Sequence, residues 1–390
     1  MATNKRTDTN SAKPKKRRAI TVDDLWALDR LGEPSLSPDG RLVALAVTTP
    51  SMKHNKNSSA LWLLSTQGDA PRRLTHAGGK DAHPRFSPRG DLIAFTAKRE
   101  QEGTKDDEAQ LYVIAHDGGE ARRVGEIATG VEGFRWLPDG KRIAFVSWVW
   151  PDAQGAKAQA KRHKQHRERK ETGYATSEAL WRYWDHNVPH GRAAHLHVID
   201  LDGGQPSGKV RDLFAGTGVE LFRAEPDAGC FDVSPDGKRI AFSHDPAKEQ
   251  RLDNVQAVAE IDIATRRITT LAADKAWDCT RPAYSPDGER VAFVASHQGR
   301  KHTMPQQLAI ADRATRRWEV VSDAWDHEVE APLLWSEDAS AIFFAAQQKG
   351  QRHLWRFDIA SRRAEVVAEG SWVESFDHAA GSLVSVASSA

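Results

Sequence analysis

The 390-residue chain carries 55 basic against 54 acidic side chains, a net charge of +1, and 39% hydrophobic residues. That balance supports a large folded core and gives no global pull toward nucleic acid or a membrane surface. Its two cysteines, Cys230 and Cys279, exclude a disulfide framework and a Cys-rich metal site, and they read as small buried apolar residues.

Residues 1–20, with Lys13, Lys15, Lys16, Arg17 and Arg18, are polar and basic and lack the apolar stretch of a secretory signal. They are predicted to be a disordered tail, and the protein is expected in the cytoplasm. The fold is predicted to begin at Thr21, where Thr21-Val22-Asp23-Asp24 has the form of a capping box opening a short helix through about Arg30. Val22, Leu25, Trp26 and Leu28 give that helix apolar positions, so it needs a surface to lie against.

From residue 36 onward one pattern recurs: a bulky apolar residue, a Ser-Pro-Asp-Gly-like turn, polar residues, then an apolar-Ala-apolar triplet. The clearest copies are Ser234-Pro235-Asp236-Gly237 before Ile240-Ala241-Phe242, and Ser285-Pro286-Asp287-Gly288 before Val291-Ala292-Phe293. Others span 36–45, 86–95 and 136–145, and a degenerate sixth spans 335–344 with Ala339 in the glycine's place. The turn glycines stand at 40, 90, 140, 237 and 288, with Ala339 sixth, so the steps are 50, 50, 97, 51 and 51 residues. Pro presets the first central position of a type I turn, and Gly takes the left-handed position that closes the hairpin. Each copy therefore joins two antiparallel strands. The second strand is apolar on both faces, so both faces must be covered.

Some 21 residues past each turn comes another strand, such as Leu61-Trp62-Leu63-Leu64 or Leu111-Tyr112-Val113-Ile114, and a short hairpin such as Asp117-Gly118-Gly119 leads to a fourth. Four-stranded units of this length, stacked so that neighbours bury each other's faces, are the blades of a β-propeller. The predicted fold is all-β: four-stranded blades, seven in number with the last incomplete, behind a short N-terminal helix, over residues 21–390. Leu36, Phe86, Trp136, Val233, Tyr284 and Trp335 are predicted inter-blade core. The small Ala44, Ala94, Ala144, Ala241 and Ala292 let sheets approach closely, and Ala339 is expected to carry strain of about 1 kcal/mol relative to Gly.

The 97-residue step exceeds the common step by 47, and most of the excess is an insert in the third blade at about 151–194. A Lys/Arg/His/Gln-rich run, 157–170, reads as a solvated helix or mobile loop. The aromatic cluster Trp181-Arg182-Tyr183-Trp184-Asp185-His186 follows, with Trp181 and Trp184 expected to dock the insert onto the propeller, although long inserted loops often carry function. After the sixth turn, 354–359 and 365–367 complete a blade, and 372–376 and 383–386 begin another.

The N-terminal helix running into the first repeat, the Ser-Pro-Asp-Gly/Ile-Ala-Phe units, and the insert ending Arg182-Tyr183-Trp184-Asp185-His186 before His195-Leu196-His197-Val198-Ile199-Asp200 together resemble the propeller of the prolyl oligopeptidase family. The resemblance is to its acylaminoacyl-peptidase and dipeptidyl-peptidase-like branches, and it runs from about residue 20 to the end. TolB-type propellers share the turn motifs, and it is the N-terminal helix together with the Trp-Asp insert that favours the peptidases. The resemblance implies a two-domain serine peptidase whose propeller, of seven or eight blades, covers an α/β-hydrolase domain with a Ser-Asp-His triad and admits only short peptides. This chain holds no Gly-x-Ser-x-Gly; Gly204-Gln205-Pro206-Ser207-Gly208 has the wrong spacing and sits in a predicted hairpin. The C-terminal hydrolase domain is therefore expected to be absent, the chain to be a fragment, and no catalytic residue is assigned.

Other chemistries are weakly represented. His195 and His197 lie two apart on one strand and so share a face, as two metal ligands could, but no third ligand is spaced to join them and a structural role is expected. His327-Glu328-Val329-Glu330-Ala331 lacks the second histidine of a zincin, and Asp117-Gly118-Gly119 and Asp202-Gly203-Gly204 are hairpin turns without the following helix of a phosphate loop. No metal or other cofactor, no nucleic acid and no membrane partner is implied, and oligomerisation is left open. Two functions follow: the substrate-gating propeller of a serine peptidase, with short peptides and an in-cis hydrolase domain as partners, or a stand-alone TolB-like or WD-like interaction scaffold.

Overall fold

Ser234 shows why the repeated turn has its composition. Its carbonyl accepts from Gly237 N at 2.8 Å, and its hydroxyl donates to Asp236 Oδ1 at 2.6 Å while accepting from Arg239 N at 2.9 Å. Asp236 Oδ1 also accepts from Lys238 N at 3.0 Å, and Gly237 closes the loop at φ 64°, where a β-carbon would be strained. The same hydroxyl-to-carboxylate bond recurs at Ser37, Ser285 and Ser336. The turn is thus held by its own side chains.

These features come from a computed structural model that describes residues 18–388 except 78, 102, 174, 177–180, 185, 190, 209, 247–254, 300–303 and 370–371. Six blades are described, each a contiguous antiparallel sheet. Their first strands are Ser35–Leu36, Ala82–Phe86, Gly133–Trp136, Phe231–Val233, Trp277–Tyr284 and Glu330–Trp335. The second strands are Leu42–Ser51, Leu92–Ala97, Arg142–Val149, Arg239–His244, Arg290–His297 and Ala341–Gln348. Blade 3 takes its third strand, Ala193–Asp202, from beyond the insert, and splits its fourth into Gln205–Pro206 and Arg211–Asp212. Blade 1 gains an extra strand, Arg30–Leu31, paired with Val47 and Thr48.

Packing follows the alternation of bulky and small residues. Ala44, Ala94, Ala144, Ala241 and Ala292 are fully buried, as are Phe95, Phe145, Phe242 and Phe293 in the same strands, each Phe removing apolar surface worth roughly 2–3 kcal/mol. A separate apolar cluster fills each inter-blade interface, such as Leu61, Phe86, Phe95 and Tyr112 between blades 1 and 2. Five of the six predicted core residues are buried, and Val233 is partly so. Ala339 lies at φ 57° and is buried beside Trp335. Its left-handed backbone costs ~1–2 kcal/mol, but glycine would forfeit a buried methyl worth ~0.8 kcal/mol and lose more chain entropy on folding. Ala339→Gly is therefore expected to shift stability by less than ~1 kcal/mol; a larger change in the denaturation midpoint would mean the turn is held differently.

A terminal hairpin, Trp372–Ala379 and Ser382–Ser388, lies between blade 6 and blade 1. Val373 and Phe376 pack on Phe343 and Leu354, and Ala379 and Val384 pack beside Leu36, Val43 and Leu45. Asp377 Oδ2 accepts from Leu36 N at 2.7 Å, as Asp232 Oδ2 accepts from Tyr284 N at 2.8 Å between blades 4 and 5. Gly40 packs against the hairpin's Ala380 and Ser382 much as Gly90 packs against Pro38.

Two expectations are corrected. The N-terminal helix α1 is only Val22–Trp26; its Thr21–Asp24 box forms, with Thr21 N to Asp24 Oδ2 at 2.8 Å, but five residues cannot carry an apolar face around to the propeller. Val22, Leu25, Trp26 and Leu28 accordingly remain exposed. In the insert, Trp184 is 81% exposed at φ 48° and does not dock it; Trp181 is half-exposed and its carbonyl accepts from Val188 N at 3.1 Å, while Tyr183 packs edge-on to Phe222 and Val188 is buried. Asp185 and the His186 side chain lie outside the described residues. The basic run forms the solvated helix α2, Ala156–Glu168.

Candidate functional site at the tunnel mouth

The first strands of successive blades touch each other, and the Trp136 and Trp335 indole nitrogens donate to the Arg85 and Ala283 carbonyls of the preceding blades at 3.1 and 3.0 Å. These strands ring the axis, so their inward side chains line the central tunnel. In blades 2 and 5 the register shifts just before an X-Pro step, and the residue before proline is left-handed: His83 at φ 52° and Arg281 at φ 58°. Proline has no N–H to lose there, and the bulge re-aims its neighbours.

Charges from five blades converge at one end of this tunnel. Glu33, just before blade 1, pairs with Arg85 of blade 2. Asp227, before the short 3-10 turn Ala228–Cys230 that opens blade 4, pairs with Arg281 of blade 5 at 2.5 Å. Arg135 of blade 3 sits 3.7 Å from Asp232 and donates to the Ala228 and Phe231 carbonyls at 3.0 and 2.8 Å. Asp227 acts electrostatically on both Glu33 and His83, which ties the two sides of the ring together. Burial raises the Asp227 carboxyl, but Arg281 outweighs it and holds the group below its ordinary value; Glu33 is lowered by Arg85 against the same penalty. Burial lowers His83, leaving it neutral near pH 7. Three carboxylates thus face three guanidiniums, with the His83 imidazole under the influence of Glu33, Arg85 and Asp227.

The end of the tunnel is set by the topology. Glu33, His83 and Asp227 stand at or before the starts of first strands, opposite the Ser-Pro-Asp-Gly turns. Arg30–Leu31 pairs at the far end of its partner from the turn, and Ser388 ends opposite Trp372. Arg30, Ser388 and the insert that joins Val149 to Ala193 therefore lie on the face that bears the charged mouth.

His195 and His197 do share a face, but as a buried brace. His195 Nδ1 lies 2.9 Å from Asp212 Oδ2, His197 Nδ1 lies 3.1 Å from the His195 carbonyl, and the His197 ring stacks on Phe145. No group of three or more metal-ligating side chains occurs among the described residues. Burial pulls His197 down to about 4, so it stays neutral in the fold while an unfolded chain takes a proton near 6.5. Stability is lost as pH falls between those values.

Asp278 works in the opposite sense. Burial, opposed by the Gln256 N–H and reinforced by Asp245, raises it to about 6 from 3.8, so protonating it stabilises the fold as pH falls through that window. The two groups therefore act in opposite directions between pH 6 and 4. Asp278→Asn is expected to raise stability at pH 7 by about 2–3 kcal/mol and to expose a loss of similar size on acidification, measured by urea unfolding across pH. A variant whose profile runs parallel to the parent's would refute this.

The residues match the TolB beta propeller domain family over 28–169. Dipeptidyl-peptidase 5 of Porphyromonas gingivalis is 26% identical over 90% of this chain and 49% of its own length. The chain thus spans about half the length of that relative. The Pyrococcus horikoshii acylaminoacyl peptidase shares the fold with TM-score 0.65 and 16% identity, over 92% of this chain and 49% of that one. The β-propeller domain of the Trilobed protease from Pyrococcus furiosus, at TM-score 0.58 and 15% identity, covers 90% and 88%.

The chain is an all-β propeller with six described blades, and part of it matches the TolB beta propeller domain family. It is homologous to the propeller portion of dipeptidyl-peptidase 5, and it shares its fold with that of acylaminoacyl peptidase.

No helix among the described residues is long and apolar enough to cross a membrane. Sequence reasoning missed the mouth residues because they come from separate repeats, yet a signal existed: His83-Pro84 and Arg281-Pro282 stand at the same offset before their turns.

Proposed function

We propose that this propeller is the non-catalytic gate of a longer serine peptidase that cleaves acylaminoacyl or dipeptidyl units from short peptides in the cytoplasm. The observation that carries this reading is the charged mouth on the face where Arg30 and Ser388 lie. A hydrolase domain following the propeller would sit over that mouth, and substrates threading the tunnel would meet it first. Its charges are already paired, so a peptide terminus exchanges partners instead of meeting an uncompensated charge, and selection rests chiefly on width. Under this reading the terminal hairpin, packed between blades 6 and 1, would begin a seventh blade.

The test is the reading frame beyond codon 390. A Gly-x-Ser-x-Gly followed by Asp and His in an α/β pattern supports the gate; a stop codon and unrelated sequence sinks it. The TolB-family match favours a second reading, a stand-alone interaction scaffold. Under both, the 390-residue chain is expected to give no turnover of acyl-amino-acid or dipeptide chromogenic substrates, and clear turnover would overturn both.

A further inference from the structure

The terminal hairpin ends its sheet on an open edge. Among the described residues its outer strand, Ser382–Ser388, pairs only with Trp372–Ala379, whereas in all six blades the second strand is covered by a third, as Leu92–Ala97 is by Gln110–Ala115. Asp377 stands opposite Val384 as Asp232 stands opposite Ala241, and each aspartate holds an amide of the next blade, so the hairpin occupies the places of a first and a second strand. Its two-residue turn has Ala380 at φ 49° and Gly381 at φ 67°, which makes Ala379 and Ser382 a hydrogen-bonded pair. By alternation along the ladder, Leu383 and Ser385 turn their N–H and C=O groups outward. No charged residue or proline guards the edge between 382 and 388.

Blade 1 carries a matching signature. On a third strand, the residues facing the preceding blade are buried by that blade's own third strand. Tyr112 and Ile114 of blade 2 are buried with Leu61 and Leu63 of blade 1, Ala259 and Ile261 of blade 4 with Leu196 and Val198 of blade 3, and Trp355 and Phe357 of blade 6 with Leu308 and Ile310 of blade 5. Trp62 and Leu64 hold those places in blade 1, opposite Leu45 and Val43 as Tyr112 and Ile114 stand opposite Phe95 and Ile93. Both are only partly buried. Wherever the interface is complete, the covering strand presents two apolar residues at alternate positions: Leu61-x-Leu63, Leu196-x-Val198, Leu308-x-Ile310.

We propose that the edge at Leu383 and Ser385 binds an extended segment carrying Leu-x-Leu, Leu-x-Val or Leu-x-Ile, which pairs antiparallel with 382–388 and lays its two apolar side chains on Trp62 and Leu64. Its source is the same polypeptide, soon after the hairpin, since third strands start 3 to 13 residues after second strands in every blade but the third. That source rests on the peptidase reading, in which the polypeptide continues; the binding of such a strand does not.

The experiment titrates the 390-residue chain with a synthetic peptide copying residues 305–313, which contain Leu308-x-Ile310, with both ends blocked. It is read by amide hydrogen exchange and gel filtration. Exchange is expected to slow across 382–388, with a Kd between about 0.1 and 1 mM, and a peptide with serine in place of both apolar residues is expected to bind at least tenfold more weakly. Ser385→Pro removes an outward N–H without touching a hairpin bond, and Trp62→Ala removes the covered ring. Each is expected to weaken binding about tenfold or more, with thermal melts showing that the variants fold. Unchanged exchange at 382–388, equal binding of the serine peptide, or unchanged binding in both variants overturns the proposal, as does a dimer of the chain formed through this edge. An unrelated reading frame after codon 390 defeats the gate and with it the source named here; absent peptide binding defeats the strand site and leaves the gate untouched.

Discussion

Gly133→Ala is expected to destabilise the protein by about 3 kcal/mol or more, well beyond the usual cost of one added methyl in a core. Gly133 opens the first strand of blade 3 and faces the turn that opens blade 4. A β-carbon there would overlap the Ala228 nitrogen and lie 2.8 Å from the Asp227 carbonyl carbon and 2.9 Å from Ala228 Cα. All three are backbone atoms, which cannot swing aside as a side chain can. The turn must move or the blades must part, and Asp227 moves with it.

Gly229→Ala provides the control. Its added β-carbon would collide with the Arg281 guanidinium, the far end of a flexible side chain, so the fold should lose no more than ~1 kcal/mol while the Asp227–Arg281 pair is disturbed. Thermal melts of the two variants separate the effects. Equal losses would show that the Gly133 contact is softer than its geometry indicates.

Asp81→Ala is expected to cost about 3–5 kcal/mol, because it leaves a buried cation without its counter-charge. Asp81 is fully buried and accepts from Arg99 Nε at 3.1 Å and Nη2 at 2.7 Å, while the Arg99 guanidinium lies over the Phe95 and Tyr112 rings at 5.0 and 5.4 Å. Beside them Asp106 accepts from the Tyr112 hydroxyl at 2.5 Å and from Arg123 at 2.8 Å. The double change Asp81→Leu with Arg99→Met removes both charges and fills similar volume, so it should fall within ~1–2 kcal/mol of the parent. Urea unfolding of both variants decides: a double variant as unstable as the single would mean the pair itself stabilises the blade, and not merely that its breakage is harmful.

These sites show what the linear sequence carries and what it does not. Ser234, Pro235, Asp236 and Gly237 act within one turn, so local chemistry made the repeat, the blade and the inter-blade alanines readable in advance. The tunnel mouth is another matter. Glu33 and Arg85, or Asp227 and Arg281, lie more than 50 residues apart and become partners only once the ring brings separate blades to one axis. Helix α1 fell short for a different reason: a capping box marks where a helix starts and says little about how many turns follow. Trp184 shows the limit of reading aromatic residues as core, since the neighbouring Tyr183 took the packing position.

The contiguity of every blade bears on how the chain is made. Among the described residues each of the six blades is built from consecutive strands, so each can finish its hydrogen-bonded ladder soon after its last strand leaves the ribosome. At ~5–20 residues per second a unit of about 50 residues takes roughly 3–10 s to emerge, far longer than hairpins need to form. Blades can thus accumulate one by one during synthesis, each covering the exposed face of its predecessor. The join between Asp377 and the Leu36 amide links residues 341 positions apart. That contact must wait until residue 377 has been translated, and until then the open side of blade 1 is the surface a chaperone would have to shield.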